Sequence, residues 1–326
     1  ISVEHADYQE AEQVKLLSAF IKSMKTSLAL PILSRYWIIG KENNDLRNYV
    51  DVLKAVSAFL AIRRAATGGT DGIDTCFREI MEEGNSDKKF GLCAGAKHKN
   101  KLLEVNQLKQ ALRNKLSSSK VKFTPKDECI DHVVDVPIYN HSKSLARFLL
   151  LSATHHTGLD SQEHGLLTRK SKAPSDSRSY LDFDNWNSNR YCTVEHVAPN
   201  ADKCEGWDKN IYANARLKNT LGNLVLLPTE ENSSIGSAPW SKKKLFYSAL
   251  TDQEKEERKA LIEQAKRQGM KFPKKAEDMI LNGEQFDMLS GIENVTAWDK
   301  DFIEKRARRL AELAWDQLWP WLESEE

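Results

Sequence analysis

The side chains best suited to catalysis lie between residues 195 and 232. Glu195 and His196 are adjacent, Asn223 follows a glycine, and Asn232 lies nine residues after Asn223. A histidine can act as a general base that activates water, and carboxylate and amide oxygens are ligands that Mg²⁺ prefers. A metal-dependent phosphodiesterase needs both kinds of group. We therefore expect His196 as the base, with Glu195 and Asn232 as metal ligands.

Two short strands followed by a helix are predicted to carry these residues. Residues 190–197 are rich in β-branched and aromatic types and precede a proline, as do residues 221–227. A helix opens near Pro239, since proline suits the first turn of a helix. Neighbouring side chains of a strand point to opposite faces, so Glu195 and His196 serve one site only if the strand end bends. The nearby proline favours such a bend.

Helical periodicity dominates the rest of the chain. Apolar residues recur at helical spacing over about 10–82, over about 142–153 and in the last segment. The polar, aperiodic stretch 168–177 predicts a boundary between a helical domain at 1–178 and a second domain at 179–326. We expect a mainly α fold with a small ββα unit and helical regions on both sides. Four tryptophans of the last segment indicate core packing: Trp298, Trp315, Trp319 and Trp321.

The strand-and-helix segment resembles a known family of nucleases. Its motifs are Thr193–Pro199 (TVEHVAP), Leu221–Leu227 (LGNLVLL), Asn232, and Trp240 with Lys243. They are similar to the HNH nuclease domain that ends GmrSD-type restriction proteins, a group that includes SspE-like phage-defence nucleases. The stretch 298–320 resembles the helical tail of these proteins. The resemblance covers about 190–321.

The resemblance implies a role for each residue that fits the motif. His196 is the general base, Glu195 and Asn232 are metal ligands, and Asn223 is the structural residue that orients His196. Lys243 corresponds to a helix lysine that contacts phosphate. Many HNH domains have a histidine at the last metal position, whereas this chain has Asn232. An amide oxygen suits Mg²⁺ or Mn²⁺ better than zinc.

The implied function is a divalent-metal-dependent DNA endonuclease that nicks or cleaves foreign or phage DNA. The resemblance also implies an N-terminal sensor domain for modified DNA upstream of Ile1, and a chain that starts without methionine is interpreted as a fragment. The alternative is a catalytically inactive helical module that binds DNA or protein. Retention of Glu195, His196, Asn223 and Asn232 favours the enzyme, because a decayed site would lose some of them.

Positive charge is concentrated in one segment, although the chain as a whole is nearly neutral. The net charge is +1, yet residues 97–126 contain nine Lys or Arg against one acidic residue. Such a run attracts polyanions, while the other interpretation is a solvated helix face. We expect DNA contacts from eight lysines, of which the last two flank Lys243: Lys97, Lys99, Lys101, Lys115, Lys120, Lys122, Lys242 and Lys244.

Several other classes of protein are excluded or not indicated. No apolar run approaches the roughly 20 residues that span a bilayer. The five cysteines include no C-x-x-C pair, which favours free or buried thiols in a reducing cytoplasm over disulfides or a zinc ribbon. Neither a phosphate-binding loop nor a G-x-S-x-G elbow is present. His155, His156 and His164 have only Asp160 and Glu163 as acidic neighbours and are interpreted as surface residues.

Overall fold

The structure, a computed structural model, describes residues 8–25, 27–83, 103–117, 123–170, 179–201, 204–228, 236–272, 274–283 and 286–324. These residues are mainly helical, as the sequence predicts, and they form two small antiparallel sheets, of which the one at residues 157–169 was not expected. None of the helices within these ranges combines the length and the apolar character that crossing a bilayer would require.

The helices are numbered here in chain order. The first seven are α1 (Tyr8–Ser23), α2 (Leu30–Glu42), α3 (Arg47–Thr67), α4 (Ile73–Glu83), α5 (Val105–Ser117), α6 (Lys126–Val133) and α7 (Ile138–His141). The next seven are α8 (Lys143–Thr154), α9 (Phe183–Asn187), α10 (Lys209–Ala213), α11 (Trp240–Thr251), α12 (Lys255–Arg267), α13 (Lys274–Asn282) and α14 (Lys300–Leu318). The stretch predicted as helical over about 10–82 thus forms α1 to α4.

The chain divides into two compact units. The first comprises residues 1–132, 181–183 and 315–326, and the second comprises residues 133–180 and 184–314. Residue 178, where the sequence predicts a domain boundary, lies outside the described residues. The division at that position therefore stays a prediction.

Helix α3 is the centre of the first unit. It is apolar around most of its circumference, and Val52 and Phe59 are 0% exposed. Helices α1, α2 and α5 contact it, and a helix surrounded in this way needs apolar side chains on every face. Gly68 ends it with a φ of 73°, which favours glycine. Trp315 is buried in this unit and stacks on Trp319 at 4.5 Å, which agrees with the predicted core packing.

Helix α8 supports both sheets of the second unit. The Ser142 hydroxyl accepts the Leu145 N–H at 3.2 Å and caps the start of the helix. Strands β1 (Thr157–Leu159) and β2 (Leu167–Arg169) pair with each other, and β3 (Thr193–His196) pairs with β4 (Leu224–Leu227). Helix α8 contacts β1, β3 and β4, so it fixes the sheet that carries the candidate catalytic residues.

The two strands predicted from the sequence are present but shorter than expected. They run antiparallel, with Glu195 opposite Val225 and His196 opposite Leu224. Each is preceded by a turn of 3-10 helix instead of strand, at Asn189–Tyr191 and Leu221–Asn223. Local hydrogen bonds explain the difference, because a side-chain cap satisfies the backbone at the first turn and an i to i+3 bond does so at the second.

Helix α14 lies against the start of β4 because residue 222 is glycine. A Cβ atom at Gly222 would overlap the carbonyl oxygen of Ile303. Arg306 of α14 donates to the carbonyls of Gly222 at 2.7 Å and Leu224 at 2.9 Å. Burial lowers the pKa of Arg306 to about 10, so the guanidinium stays charged at neutral pH. These contacts fix the turn that contains the predicted structural asparagine.

Candidate active site

The candidate catalytic pair lies at the end of β3. The strand ends at His196, and the chain bends at Val197 and Ala198. The bend expected near Pro199 therefore comes after both residues and does not bring their side chains to one face. The Glu195 side chain is half-buried and that of His196 is 4% exposed. Because both residues are in regular strand, their side chains leave opposite faces of β3.

The negative charge of Glu195 acts on two residues of α11. Burial lowers the pKa of Lys243 to about 8, and the negative charge of Glu195 opposes that shift. Burial also raises the pKa of Tyr247, and the charge of Glu195 adds to the increase. Lys243 and Tyr247 both belong to α11. A carboxylate whose field reaches two residues of one helix must lie close to that helix.

His196 lies in a pocket formed by α7 and the turn before β4. Its Nε2 is 2.9 Å from Oδ1 of Asn219, and the ring of Tyr139 meets it edge-on with 4.2 Å between centroids. Burial lowers the pKa of His196 to about 4, while the Asn219 bond opposes the shift and the charge of Lys243 adds to it. The imidazole is therefore neutral at pH 7, which is the form that accepts a proton.

Asn223 is the structural centre of the site and is 0% exposed. Its Oδ1 accepts the Ala198 N–H at 2.8 Å and the indole N–H of Trp298 at 3.0 Å. Its Nδ2 donates to the carbonyls of Ala198 and Lys218, both at 2.8 Å. One side chain thus joins the segment after β3, the turn before β4 and the loop before α14.

Lys243 is fully buried and supports the end of β3 through a hydrogen bond to its backbone. Its Nζ donates to the carbonyl of His196 at 3.1 Å and lies 5.8 Å from the centre of the Trp207 ring. The sequence predicts a phosphate contact for this lysine. In the structure its ammonium group is instead directed at the backbone of the strand that carries the candidate base.

The comparison with protein families supports the resemblance to nucleases. The model for the C-terminal domain of GmrSD restriction endonucleases matches residues 123–313, more than half of the 326 residues. The chain belongs to this family. The match includes Glu195, His196, Asn223 and Lys243, and it begins at residue 123, well before the start predicted near residue 190. A comparison with curated protein sequences finds no match.

Membership in the GmrSD C-terminal family identifies a nuclease domain of the restriction endonuclease type. The match extends over α6, α7 and α8, a part of the chain in which the sequence alone gave only a general helical likeness to the family. Helix α7 contributes Tyr139 to the His196 pocket, so α7 belongs to the candidate site.

Three residues of the site were not predicted from the sequence. Asn219 contacts His196 directly, Tyr139 covers the imidazole, and the Nζ of Lys143 lies 4.7 Å from the centre of the Tyr139 ring. Asn219 lies three residues before Gly222, where the Gly-Asn-Leu motif begins. This proximity to the motif was the one signal that the sequence offered. Tyr139 and Lys143 are distant in sequence, and no motif marks them.

The lysines predicted to contact DNA are only partly described. Lys97, Lys99, Lys101, Lys120 and Lys122 lie outside the described residues. Lys115 forms an ion pair with Glu79 at 2.9 Å, and Lys244 donates to the carbonyl of Val295 at 3.1 Å, while Lys242 is half-buried. Lys143 is exposed, and its Nζ lies over the ring of Tyr139, which packs on His196.

Of the two metal ligands predicted from the sequence, the structure describes Glu195, whereas Asn232 lies outside the described residues. Within the described ranges, no group of three or more His, Cys, Asp or Glu side chains is placed to hold a metal ion. The predicted ligand set contains only one residue of these four types, Glu195, because its second ligand, Asn232, binds through an amide oxygen. One carboxylate and one amide oxygen suit a hard divalent cation that completes its shell with water and phosphate oxygens.

Proposed function

We propose that this chain is an HNH-type DNA endonuclease domain that depends on Mg²⁺ or Mn²⁺ and uses His196 as its general base. The observation that supports this most directly is the placement of His196, which lies at the end of β3 with its Nε2 held by Asn219. A base that is fixed in orientation is suited to deprotonating water.

The proposed reaction is hydrolysis of a phosphodiester bond. Water loses a proton to His196 as its oxygen attacks phosphorus, the bond from phosphorus to the leaving sugar oxygen breaks, and that oxygen takes a proton from solvent water. Glu195 and Asn232 would hold the divalent cation, which would supply charge stabilisation to the phosphate. This assignment requires the Glu195 carboxylate to reach past the end of β3 to the side of His196. Asn223 and Lys243 maintain the end of β3, since Lys243 bonds to the carbonyl of His196 and Asn223 bonds to the backbone of Ala198, two residues later. We assign Lys243 to this positioning role in preference to a phosphate contact.

DNA is the proposed substrate, held mainly through phosphate contacts. Lys143 is the proposed contact next to the site, and Lys242 and Lys244 lie on α11 nearby. The basic segment around Lys97 to Lys122 is proposed to make further phosphate contacts. Contacts of this kind act on every sequence alike and weaken with salt. An upstream sensor domain, a defence role against phage DNA and a cytoplasmic location are parts of the same proposal.

The test is cleavage of supercoiled plasmid DNA by the purified chain. Nicking with Mg²⁺ or Mn²⁺, and its loss with EDTA, is expected. The His196→Ala variant should lose cleavage by about two to four orders of magnitude while binding DNA normally, because only the base is removed. His164→Ala is the matched control, since His164 is exposed. Cleavage by His196→Ala near the wild-type rate would contradict the assignment.

A second function is favoured by one observation, the enclosure of His196 behind Tyr139. An inactive module that binds DNA or protein would need no access to this imidazole. One result in its favour would be a wild-type chain that binds plasmid DNA and leaves it intact with every divalent metal tested. The other would be a failure of Tyr139→Ala, which opens the site, to cleave the plasmid as well. With both results, the binding module is the better description.

A further inference from the structure

Asn219 is oriented toward His196 by its own surroundings. It ends the short 3-10 helix Leu217–Asn219 and is 3% exposed. Its Nδ2 donates to the carbonyl of Ala215 at 3.3 Å, and its Oδ1 lies 2.9 Å from Nε2 of His196. A carbonyl can only accept a hydrogen bond, so the amide nitrogen must face Ala215. The amide oxygen must then face the imidazole.

That orientation determines which nitrogen of His196 carries the proton. An amide oxygen accepts and never donates, so Nε2 is the protonated nitrogen and Nδ1 keeps its lone pair. We propose that Asn219 is a positioning residue that selects the Nε2–H tautomer of His196 and leaves Nδ1 to accept the proton of the attacking water. The second half of this inference rests on the proposed function, whereas the tautomer does not.

The distance between His196 and Asn219 is fixed by Asn223. Its amide bonds both to Ala198, two residues after His196, and to the carbonyl of Lys218, one residue before Asn219. The Asn219 N–H also bonds to the carbonyl of Arg216 at 2.9 Å within the turn. The structural asparagine of the motif therefore acts on the base through Asn219, because it holds the two partners in register.

Tyr139 restricts the remaining freedom of the imidazole. Its ring lies edge-on to His196 on the side of α7, at an interplanar angle of 62°. A flip of the imidazole by 180° would exchange each ring nitrogen with a ring carbon and would offer Asn219 a C–H group in place of Nε2–H. The packed ring and the single hydrogen bond together favour one orientation and one tautomer.

The tautomer can be measured without reference to activity. Histidine labelled with ¹⁵N in the full chain gives separate signals for protonated and unprotonated ring nitrogens, and His196→Gln identifies the signals of His196 by their loss. At pH 8 we expect the Nε2–H form in the wild type and in Asn219→Asp, which keeps an acceptor. Asn219→Leu, of similar volume without an acceptor, should give a mixture. An Nδ1–H form in the wild type would overturn the inference without any variant.

Plasmid cleavage separates this inference from the proposed function. If the wild type cleaves, Asn219→Leu should lower kcat by about 10–100-fold with little change in KM for DNA, and Asn219→Asp should recover most of it. Unchanged kcat in Asn219→Leu together with a mixed tautomer would overturn the positioning role. Absence of wild-type cleavage with the Nε2–H form intact would refute the proposed function and support the tautomer assignment.

Discussion

Replacement of Asn223 by leucine tests whether one buried amide holds the candidate site together. Leucine has a similar volume, so the change removes hydrogen bonds and leaves little cavity. The four bonds of Asn223 join it to the backbone of Ala198, to Lys218 and to the indole of Trp298. At about 1 kcal/mol for each net bond, the free energy of unfolding should fall by about 4 kcal/mol. A typical domain has about 5–15 kcal/mol in total, so the variant should be marginally stable.

The measurement is urea unfolding followed by circular dichroism, with hydrogen exchange at the Ala198 amide as a local probe. Exchange at this amide should accelerate in Asn223→Leu, because its acceptor is lost. Asn294→Leu is the control, since Asn294 is exposed and its Nδ2 donates to the neighbouring Glu293 at 3.3 Å on the surface. It should change stability by less than about 0.5 kcal/mol. A loss below about 1 kcal/mol for Asn223→Leu would refute the reasoning.

Three further predictions concern other parts of the family domain. Gly222→Ala should destabilise the chain by about 3 kcal/mol, because the new methyl group overlaps Ile303 of α14; an unchanged Tm would contradict this packing. Burial lowers the pKa of His155 to about 3. The contribution of His155 to the free energy of unfolding is therefore complete above pH 6.5 and is lost as the pH falls, by about 2 kcal/mol at pH 5. Urea unfolding at pH 7 and pH 5 should show a loss that is smaller by about this amount in His155→Asn than in the wild type, because His196, whose pKa is lowered to about 4, contributes a loss of its own in both. Lys143→Met should weaken DNA binding and lower the salt slope by about one unit, whereas Lys126→Met should not; equal slopes would exclude a phosphate contact.

His155 also corrects one interpretation of the sequence. It was expected at the surface, yet it is partly buried, and its Nδ1 accepts the backbone N–H of Tyr180 at 3.2 Å. His164 is exposed, as expected. The difference arises because the segment near residue 180 returns to pack on the end of α8, and sequence spacing carries no sign of that return.

Much of the secondary structure and the family could be predicted from the sequence because those signals are local. The apolar period gave α1 to α4 and α8, and β-branched runs before prolines located β3 and β4 to within a few residues. The Glu-His and Gly-Asn-Leu motifs indicated the nuclease family that the family match supports. The strand starts were wrong because local caps and turns outweighed strand propensity at residues 189–191 and 221–223.

Only the tertiary structure decided which side chains surround the candidate base. Asn219 and His196 are 23 residues apart, and Tyr139 comes from a helix far earlier in the chain. Lys243 has the residue type and helix position of a phosphate contact, but packing directs its ammonium inward to the carbonyl of His196. Residue type and spacing specify what a side chain can do chemically. The direction in which it points, and the partner that it meets, depend on how distant elements pack, and that information is absent from any local pattern.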